Sequence, residues 1–420
     1  MADWPFEPPI VPMEAEVADE LPPPPGWAYE PKWDGFRVVA WSGPQPRLDS
    51  RNGKPLLRYF PELEPALAQL PPGTVTDGEL VVVLGGKLDF DALQNRIHPA
   101  DSRVRLLAKE TPALLALYDL LALRGEDTRH LPFRERRQKL VELATSLSAL
   151  GAHAAPGVVT IGAGASNDAA AHGGSQWILS PSTEDVEVAQ RWFHDFEPAG
   201  FDGIVAKALG RPYAEGRREM IKLKHRRTVD TVVGGYRLHK DRRRVGSLLL
   251  GLYNDRGELH FIGHTSSFSE AQATALLEAL RPLEAPSRIS EAAEPADDVE
   301  AAAGDGAGAE VKAGRGGAGK GGAQVPAGEA LVGGFGEHAR HPGQQSGWSG
   351  DKELDFVAVR PELVIEISYD QLTGDRFRHA TRFERWRPDK DPRDCTLDQL
   401  ERPKGPALIE AIRKATMEDR

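Results

Sequence analysis

EPKWDGFR, residues 30–37, sets a lysine two positions before an Asp-Gly pair and an arginine three positions after the aspartate. An amine such as that of Lys32 is a covalent nucleophile that splits one difficult group transfer into two easier ones. Groups of related chemistry follow along the chain. SRNGK (50–54) is a basic turn around Arg51, TDGEL (76–80) puts Glu79 on a predicted strand, and ALYDL (116–120) puts Tyr118 beside Asp119. FDGIVAK (201–207) carries Asp202, and IKLKHRR (221–227) carries Lys222 and Lys224 at i, i+2, on one face of a strand. RWRPDK (385–390) carries Arg387, Asp389 and Lys390. Arginine suits phosphate because its planar fork binds two oxygens at once. Carboxylates are hard donors suited to Mg²⁺ or Mn²⁺. Single stretches also have plainer readings. Asp34-Gly35 between β-favouring runs is a hairpin signal, with Trp33 and Phe36 packed on a core and Lys32 and Arg37 solvated.

Two kinds of element must position these groups. From Trp27 to about Arg227, short β-rich runs alternate with helical ones. Predicted strands are 36–41, 73–84, 113–123 and 202–209; predicted helices are 61–70, 134–147 and 183–197. Hairpin signals outnumber βαβ spacing, so this part is α+β with a mainly antiparallel sheet. From Thr228 short strands alternate with turns such as Asn254–Gly257. Ser267 to Glu270 fits a capping box opening a helix through Leu280. Five or so strands with one inserted helix suit a small all-β barrel of the OB type. The divisions are a proline-rich lead-in at 1–26, an α+β domain at 27–227, an OB-fold domain at 228–400 and a C-terminal tail at 401–420. Residues 286–330 are Ala/Gly/Glu-rich with almost no large apolar side chains, and read as a disordered loop interrupting the barrel.

Composition narrows the function. The chain has 420 residues, 40 % hydrophobic and 27 % charged, as in a soluble globular protein of two or three domains. No run is long enough to span a bilayer, and the acidic, proline-rich start is unlike a signal peptide. Cys395 is the single cysteine. An intramolecular disulfide and a Cys-rich zinc site are excluded, which fits a reducing cytoplasm. The net charge of −11 argues against a nucleic-acid partner, but 217–227, 237–244 and 376–390 are strongly basic, and phosphate responds to local potential. His260 with His264, and His338 with His341, have no second ligand pair nearby and read as surface histidines.

Taken in order, EPKWDGFR, SRNGK, TDGEL, ALYDL, FDGIVAK, IKLKHRR and RWRPDK resemble the nucleotidyltransferase motifs of ATP-dependent DNA ligases. The text is most similar to the bacterial ligase C group of actinobacterial type and to the ligase domain of bacterial ligase D. The resemblance runs from about Trp27 to Leu400. It implies ATP and a divalent cation, Mg²⁺ or Mn²⁺, as cofactors and nicked duplex DNA as partner, sealed through a lysyl-AMP and an adenylated DNA end. By the same resemblance Lys32 is the nucleophile and Glu30 lies at the adenine. Arg37 and Arg51 lie near the ribose and the nick phosphate. Glu79 meets ribose or metal, Tyr118 stacks on adenine, and Lys222 and Lys224 hold the ATP phosphates. Arg387, Asp389 and Lys390 orient pyrophosphate during self-adenylation. Asp202 stands where the commoner text has glutamate and is the second expected metal carboxylate. Its plainer reading is a turn-forming Asp-Gly at a strand start. The spacing from Arg378 to Arg387 is one residue longer than in ligase D-like text. Since Lys32 must lose a proton, nearby positive charge or metal is expected to lower its pKa.

The expected activity is DNA nick sealing in repair or recombination, by a cytoplasmic monomer that works with DNA and with other repair proteins and not at a membrane. An RNA ligase and a GTP-dependent capping guanylyltransferase share the chemistry. A non-catalytic OB-type DNA-binding protein is the alternative of another class.

Overall fold

ALLALYDLLAL is apolar on both faces, the pattern of a strand covered from both sides. In the computed structural model it is the strand Ala113–Leu123, buried along nearly its whole length. The structure describes residues 4–149, 176–285, 334–336, 338–342, 356–400 and 405–418. The interrupting loop expected at 286–330 lies outside the described residues.

The strands are β1 (Glu14–Ala18), β2 (Trp27–Pro31), β3 (Phe36–Trp41), β4 (Arg47–Ser50), β5 (Val75–Leu84), β6 (Lys87–Leu88), β7 (Ala113–Leu123), β8 (Glu126–Asp127), β9 (Trp177–Leu179), β10 (Gly203–Ala208) and β11 (Arg218–Lys224). They continue as β12 (Arg227–Leu238), β13 (Val245–Tyr253), β14 (Leu259–Thr265), β15 (Val357–Ala358), β16 (Val364–Tyr369), β17 (Leu372–Thr373), β18 (Arg376–Phe377) and β19 (Arg382–Trp386). The helices are α1 (Glu64–Gln69), α2 (Phe90–Asn95), α3 (Asp101–Glu110), α4 (Phe133–Ala149), α5 (Val186–Asp195), α6 (Glu270–Leu280) and α7 (Leu408–Glu418).

The chain divides into two compact units. The first takes Met1–Arg227, Asp370–His379 and Leu400–Arg420. It contains one sheet in the order β4-β3-β5-β7-β8, with β6 on β5 and β9 on β7, and another in the order β1-β11-β10-β2. Most pairings are antiparallel, as the hairpin signals required; β1 on β11 and β9 on β7 are parallel. One core lies around Val38, Leu48, Phe60, Leu67, Leu80, Leu115 and Leu140. A second gathers Tyr29, Trp33, Trp192, Phe196, Phe201 and Ile204 with Leu408 and Ile412. Asp185 caps α5 by accepting from the Glu187 and Val188 amides.

Three segments differ from their sequence readings. The proline-rich start is built into the first unit: Ile10 and Met13 are buried, and Trp4 and Phe6 meet Trp41 edge-on. The C-terminal tail contains α7, whose Leu408, Ala411, Ile412 and Ala415 follow the i, i+3, i+4, i+7 spacing of one apolar face. The hairpin β17–β18 belongs to the first unit although its sequence neighbours belong to the second.

The second unit is a sheet in the order β14-β13-β12-β16-β19, with β15 on β12. Its edges meet where Thr265 and Thr381 bridge and the Thr265 hydroxyl donates to the Thr381 carbonyl at 2.8 Å. This curled sheet with α6 is the OB-type architecture. Asn254–Gly257 is a turn, with Gly257 at φ +71° donating to the Asn254 carbonyl at 2.8 Å. The capping box is shifted from the expected one. Ser269 is the N-cap and Gln272 its partner, because Ser267 Oγ instead accepts from the Phe383 amide at 3.0 Å.

Candidate active site

The lysine segment is not a hairpin. A hairpin needs its flanking strands to pair with each other. Here β2 pairs with β10, while β3 pairs with β4 and β5. Lys32–Gly35 therefore carries the chain from one sheet to the other. Gly35 is required by close approach: a Cβ there would lie 2.2 Å from the Leu80 carbonyl oxygen. Trp33 anchors the crossing, donating from Nε1 to Ser180 Oγ at 3.0 Å and packing on Phe201.

Asp202 is fixed against this crossing by backbone bonds. The Lys32 amide donates to the Gly203 carbonyl at 2.8 Å, and the Asp202 amide donates to the Lys32 carbonyl at 2.9 Å. Gly203 has φ +135°, and a Cβ there would meet the Leu223 carbonyl oxygen at 2.0 Å. The buried Asp202 carboxylate lies 2.6 Å from the Lys32 amine and 3.8 Å from the Lys224 amine. Burial works to lower the Lys32 pKa, but the carboxylates of Asp202, Asp34 and Glu79 outweigh it and hold the amine above the ordinary lysine value. The expected downward shift is thus reversed in the free protein, because the nearest charge to the amine is an anion in direct contact. Asp34 is itself held by both terminal nitrogens of Arg378, at 2.9 and 3.0 Å.

The pairing of β3 with β5 sets Arg37 opposite Glu79. The Arg37 fork nevertheless closes on Asp77, at 2.8 and 2.6 Å, and Asp77 also accepts from the Tyr213 hydroxyl at 2.7 Å. Glu79 is left without a close cation among the described residues, and burial, opposed by Arg37 and Lys32, pushes its pKa up to about 7. Its Oε2 accepts from the Tyr118 hydroxyl at 3.3 Å. Tyr118 is mostly buried, and the Arg37 guanidinium lies 5.3 Å from its ring centre.

On β11, Lys222 and Lys224 share a face as their spacing predicts. Burial and the neighbouring charges of Lys224, Lys32 and Arg51 hold Lys222 below the ordinary lysine value. Such crowded cations favour a polyanion in their midst. Lys224 meets Asp370 of the β17–β18 segment at 2.8 Å. Arg51 meets Glu14 of β1 at 2.5 Å. Glu30, Lys32, Arg37, Arg51, Glu79, Tyr118, Lys222 and Lys224 all line one cleft of about 600 Å³. Sequence positions 30 to 224 are thereby brought to a single cavity.

Arg387, Asp389 and Lys390 lie in the second unit and converge on Asp230. Arg387 donates to both Asp230 oxygens at 2.8 and 2.9 Å, and to Asp389 at 2.9 and 2.8 Å; Lys390 lies 3.4 Å from Asp230. Among the described residues no group of three or more His, Cys, Asp and Glu side chains is placed to hold a metal ion. The His260 ring accepts from the Arg340 amide at 3.2 Å. Glu79, a half-buried hard-oxygen donor lining the cleft, fits Mg²⁺ of the kind bound by one or two carboxylates and the substrate's phosphates.

Sequence reasoning missed several members of the site. Pro12 to Val17 form one wall of the cleft, a role that proline-rich text does not announce. Lys207 lies in the same cleft; strand alternation places it on the face of Val205 and would have found it. Asp370 and Arg378 come from more than 140 residues beyond Lys224 in the chain (370 − 224 = 146), and no local signal joins them to the site.

A mixed α+β unit whose cleft gathers a lysine amine, phosphate-type cations and buried carboxylates, followed by an OB-type unit, defines a nucleotidyltransferase of the covalent type. The family described as ATP dependent DNA ligase domain matches over residues 12–224. The chain is 40% identical to DNA ligase C of Mycobacterium tuberculosis over 97% of this chain and 98% of the relative. It is 40% identical to DNA ligase C2 of Mycolicibacterium smegmatis over 98% and 99%. It is 29% identical to the multifunctional non-homologous end joining protein LigD of Pseudomonas aeruginosa over 99% of this chain and 39% of that one. This chain belongs to the ATP-dependent DNA ligase family.

Proposed function

We propose that this protein seals DNA nicks bearing a 3′-hydroxyl and a 5′-phosphate, using ATP and a divalent cation. The observation that carries the reading is the Lys32 amine in a cleft shared with Lys222, Lys224, Arg51 and Glu79. In the first step the Lys32 nitrogen attacks the α-phosphorus of ATP. A P–N bond forms, the bond to pyrophosphate breaks, and the amine gives up a proton. Asp202, in direct contact with the amine, holds it in the cleft and takes its proton as the P–N bond forms. Lys222 and Lys224 stabilise the phosphate charge as it moves to the leaving group. Tyr118 and Glu30 hold the base, and Arg37 and Arg51 serve ribose and nick phosphate. A divalent cation would be held by Glu79 and Asp202, where it would neutralise phosphate charge. In the second step an oxygen of the DNA 5′-phosphate takes the adenylyl group, the P–N bond breaks and Lys32 regains its proton. In the third, the 3′-hydroxyl attacks the activated phosphate and AMP leaves.

Arg387, Asp389 and Lys390 serve the self-adenylation step and orient pyrophosphate. The substrate is nicked duplex DNA, met by a monomer in the cytoplasm. Among the described residues no helix is long and apolar enough to cross a membrane. The end-joining relative supports a place in break repair, alongside other repair proteins. Labelled ATP should leave label on the denatured wild-type chain and none on Lys32→Ala, and nicked duplex should be sealed by the wild type alone. Lys32→Ala should still seal a pre-adenylated nick. Wild-type protein that retains no label from ATP would sink the reading, and retention from GTP alone would favour capping chemistry.

A further inference from the structure

Beneath the cleft lies an ion pair that these steps do not use. Lys207 on β10 and Glu30 on β2 are both almost wholly buried, and the lysine donates to Glu30 Oε2 at 2.8 Å. The same amine donates to the Tyr118 carbonyl at 3.1 Å and lies 4.4 Å from the Tyr118 ring centre and 4.8 Å from that of Phe133. One cation therefore ties together the two residues assigned to the nucleotide base. The tie is asymmetric. Among the described residues Glu30 Oε1 has no hydrogen-bond partner, although Glu30 lines the cleft. A buried carboxylate oxygen left without a donor is costly unless a ligand supplies one.

We propose that Lys207 is a positioning and specificity residue: it keeps Glu30 an acceptor-only carboxylate, so that the cleft takes a base with a 6-amino group and rejects one with a 6-carbonyl. The inference rests on the lysyl-nucleotide reading above and extends it to the choice of nucleotide. Adenine offers an N–H at position 6, which an ionised carboxylate accepts. Hypoxanthine and guanine offer an oxygen there, which the carboxylate repels. Burial raises the Glu30 pKa above the ordinary carboxylate value, and Lys207, ahead of Arg137, is what limits the rise. Removing Lys207 shifts the balance further toward the neutral carboxyl, whose O–H is a donor that can meet a 6-carbonyl. A site that must hydrogen-bond a substrate N–H discriminates strongly because the wrong partner strands its buried polar group.

The test is single-turnover formation of the enzyme–nucleotide adduct from ATP, ITP and GTP, with thermal melting as the check of fold. Lys207→Met should lower the ATP-to-ITP preference at least about tenfold, by losing ATP rate and gaining ITP rate. Lys207→Arg, which keeps the charge, should stay close to the wild-type preference. Loss of packing alone would slow all three nucleotides together and leave the ratio unchanged. If Lys207→Met does not fold, the Glu30→Gln/Lys207→Met protein, neutral at both positions, takes its place. An amide is both donor and acceptor, so its preference should also collapse. A folded variant of either kind that keeps the wild-type ratio overturns the inference. Wild-type protein that forms no adduct with ATP overturns the ligase reading and this inference with it. Adduct formation with an unmoved ratio overturns this inference alone.

Discussion

The carboxylate of Asp202 lies 2.6 Å from the amine of Lys32, and the same two residues are joined through the backbone. Two roles for Asp202 are legible in the sequence, metal ligand and turn former. The geometry adds a third, in which it holds the Lys32 amine. The roles are compatible, since the contact uses one carboxylate oxygen.

Asp202→Asn separates them. Asparagine turns before glycine as readily as aspartate does, so the strand start is preserved. Loss of the charge should slow adduct formation about tenfold or more, the scale of a lost electrostatic contact at a reacting centre. Raising the divalent cation should recover only part of the rate, because the contact to Lys32 is lost as well. Full recovery would reduce Asp202 to a metal ligand. A wild-type rate with unchanged metal dependence would leave only the turn.

How much of this was legible depends on the range of the signal. The strand 113–123 and the face shared by Lys222 and Lys224 follow from local periodicity, and they appear as read. The crossing at Lys32–Gly35 was hidden because Asp-Gly signals a turn in either case. What decides the matter is that β2 pairs with β10, a partner about 170 residues away (203 − 31 = 172). The sign of the Lys32 shift was hidden for the same reason. The basic residues near it are visible in the text, whereas the contact with Asp202 exists only after two strands pair. Glu14 of the start and Asp370 of β17–β18 reach the site through parallel pairing and a chain return, and neither leaves a periodic mark.

Asp389→Ala should slow enzyme adenylation about tenfold or more while sealing of a pre-adenylated nick falls only a few-fold, the pattern of a group used in one step alone. Arg387 keeps its two bonds to Asp230 in that variant, so the strand end stays in place. Equal losses in the two assays would point to a disturbed fold of the second unit and away from a role in the first step.

Cys395 gives a pH test of the second unit. Its thiol is fully buried, and burial, with Asp230 beside it, pushes its pKa up to about 12. In the unfolded chain it titrates near the ordinary value of about 8.5. Between those values the native state holds a proton that the unfolded state releases. Stability from this group is therefore fully present below about pH 8.5 and declines as pH rises toward 12. Denaturant unfolding at pH 7 and 9.5 should show a loss in the wild type that is smaller in Cys395→Ala. Thiol reagents should label the native protein slowly and the unfolded protein at once. Fast labelling of the native chain would show that the thiol is not enclosed.

The last prediction concerns α7, read from sequence as a tail. Leu408 has no exposed surface, and Ile412 and Ala411 have almost none; they pack with Trp192 and Phe196 of the first unit. The helix start is fastened where the Leu408 amide donates to the Gly86 carbonyl at 2.7 Å. The exposed pair of Lys414 with Asp195 at 2.6 Å contributes little by comparison, since solvent screens it. Apolar burial should therefore dominate the docking. Leu408→Ala should destabilise the first unit by about 2–5 kcal/mol, the cost of a cavity at a fully buried leucine. Arg413→Ala, on the exposed side of the same helix, should stay within about 0.5 kcal/mol. Removing residues 405–420 should uncover the Trp192 and Phe196 surface and raise binding of an apolar dye to the folded protein. The contrast between the two point variants carries the argument, because both keep the helix and differ only in the face they alter. A Leu408→Ala protein as stable as Arg413→Ala would mean that α7 does not rest on the first unit in solution.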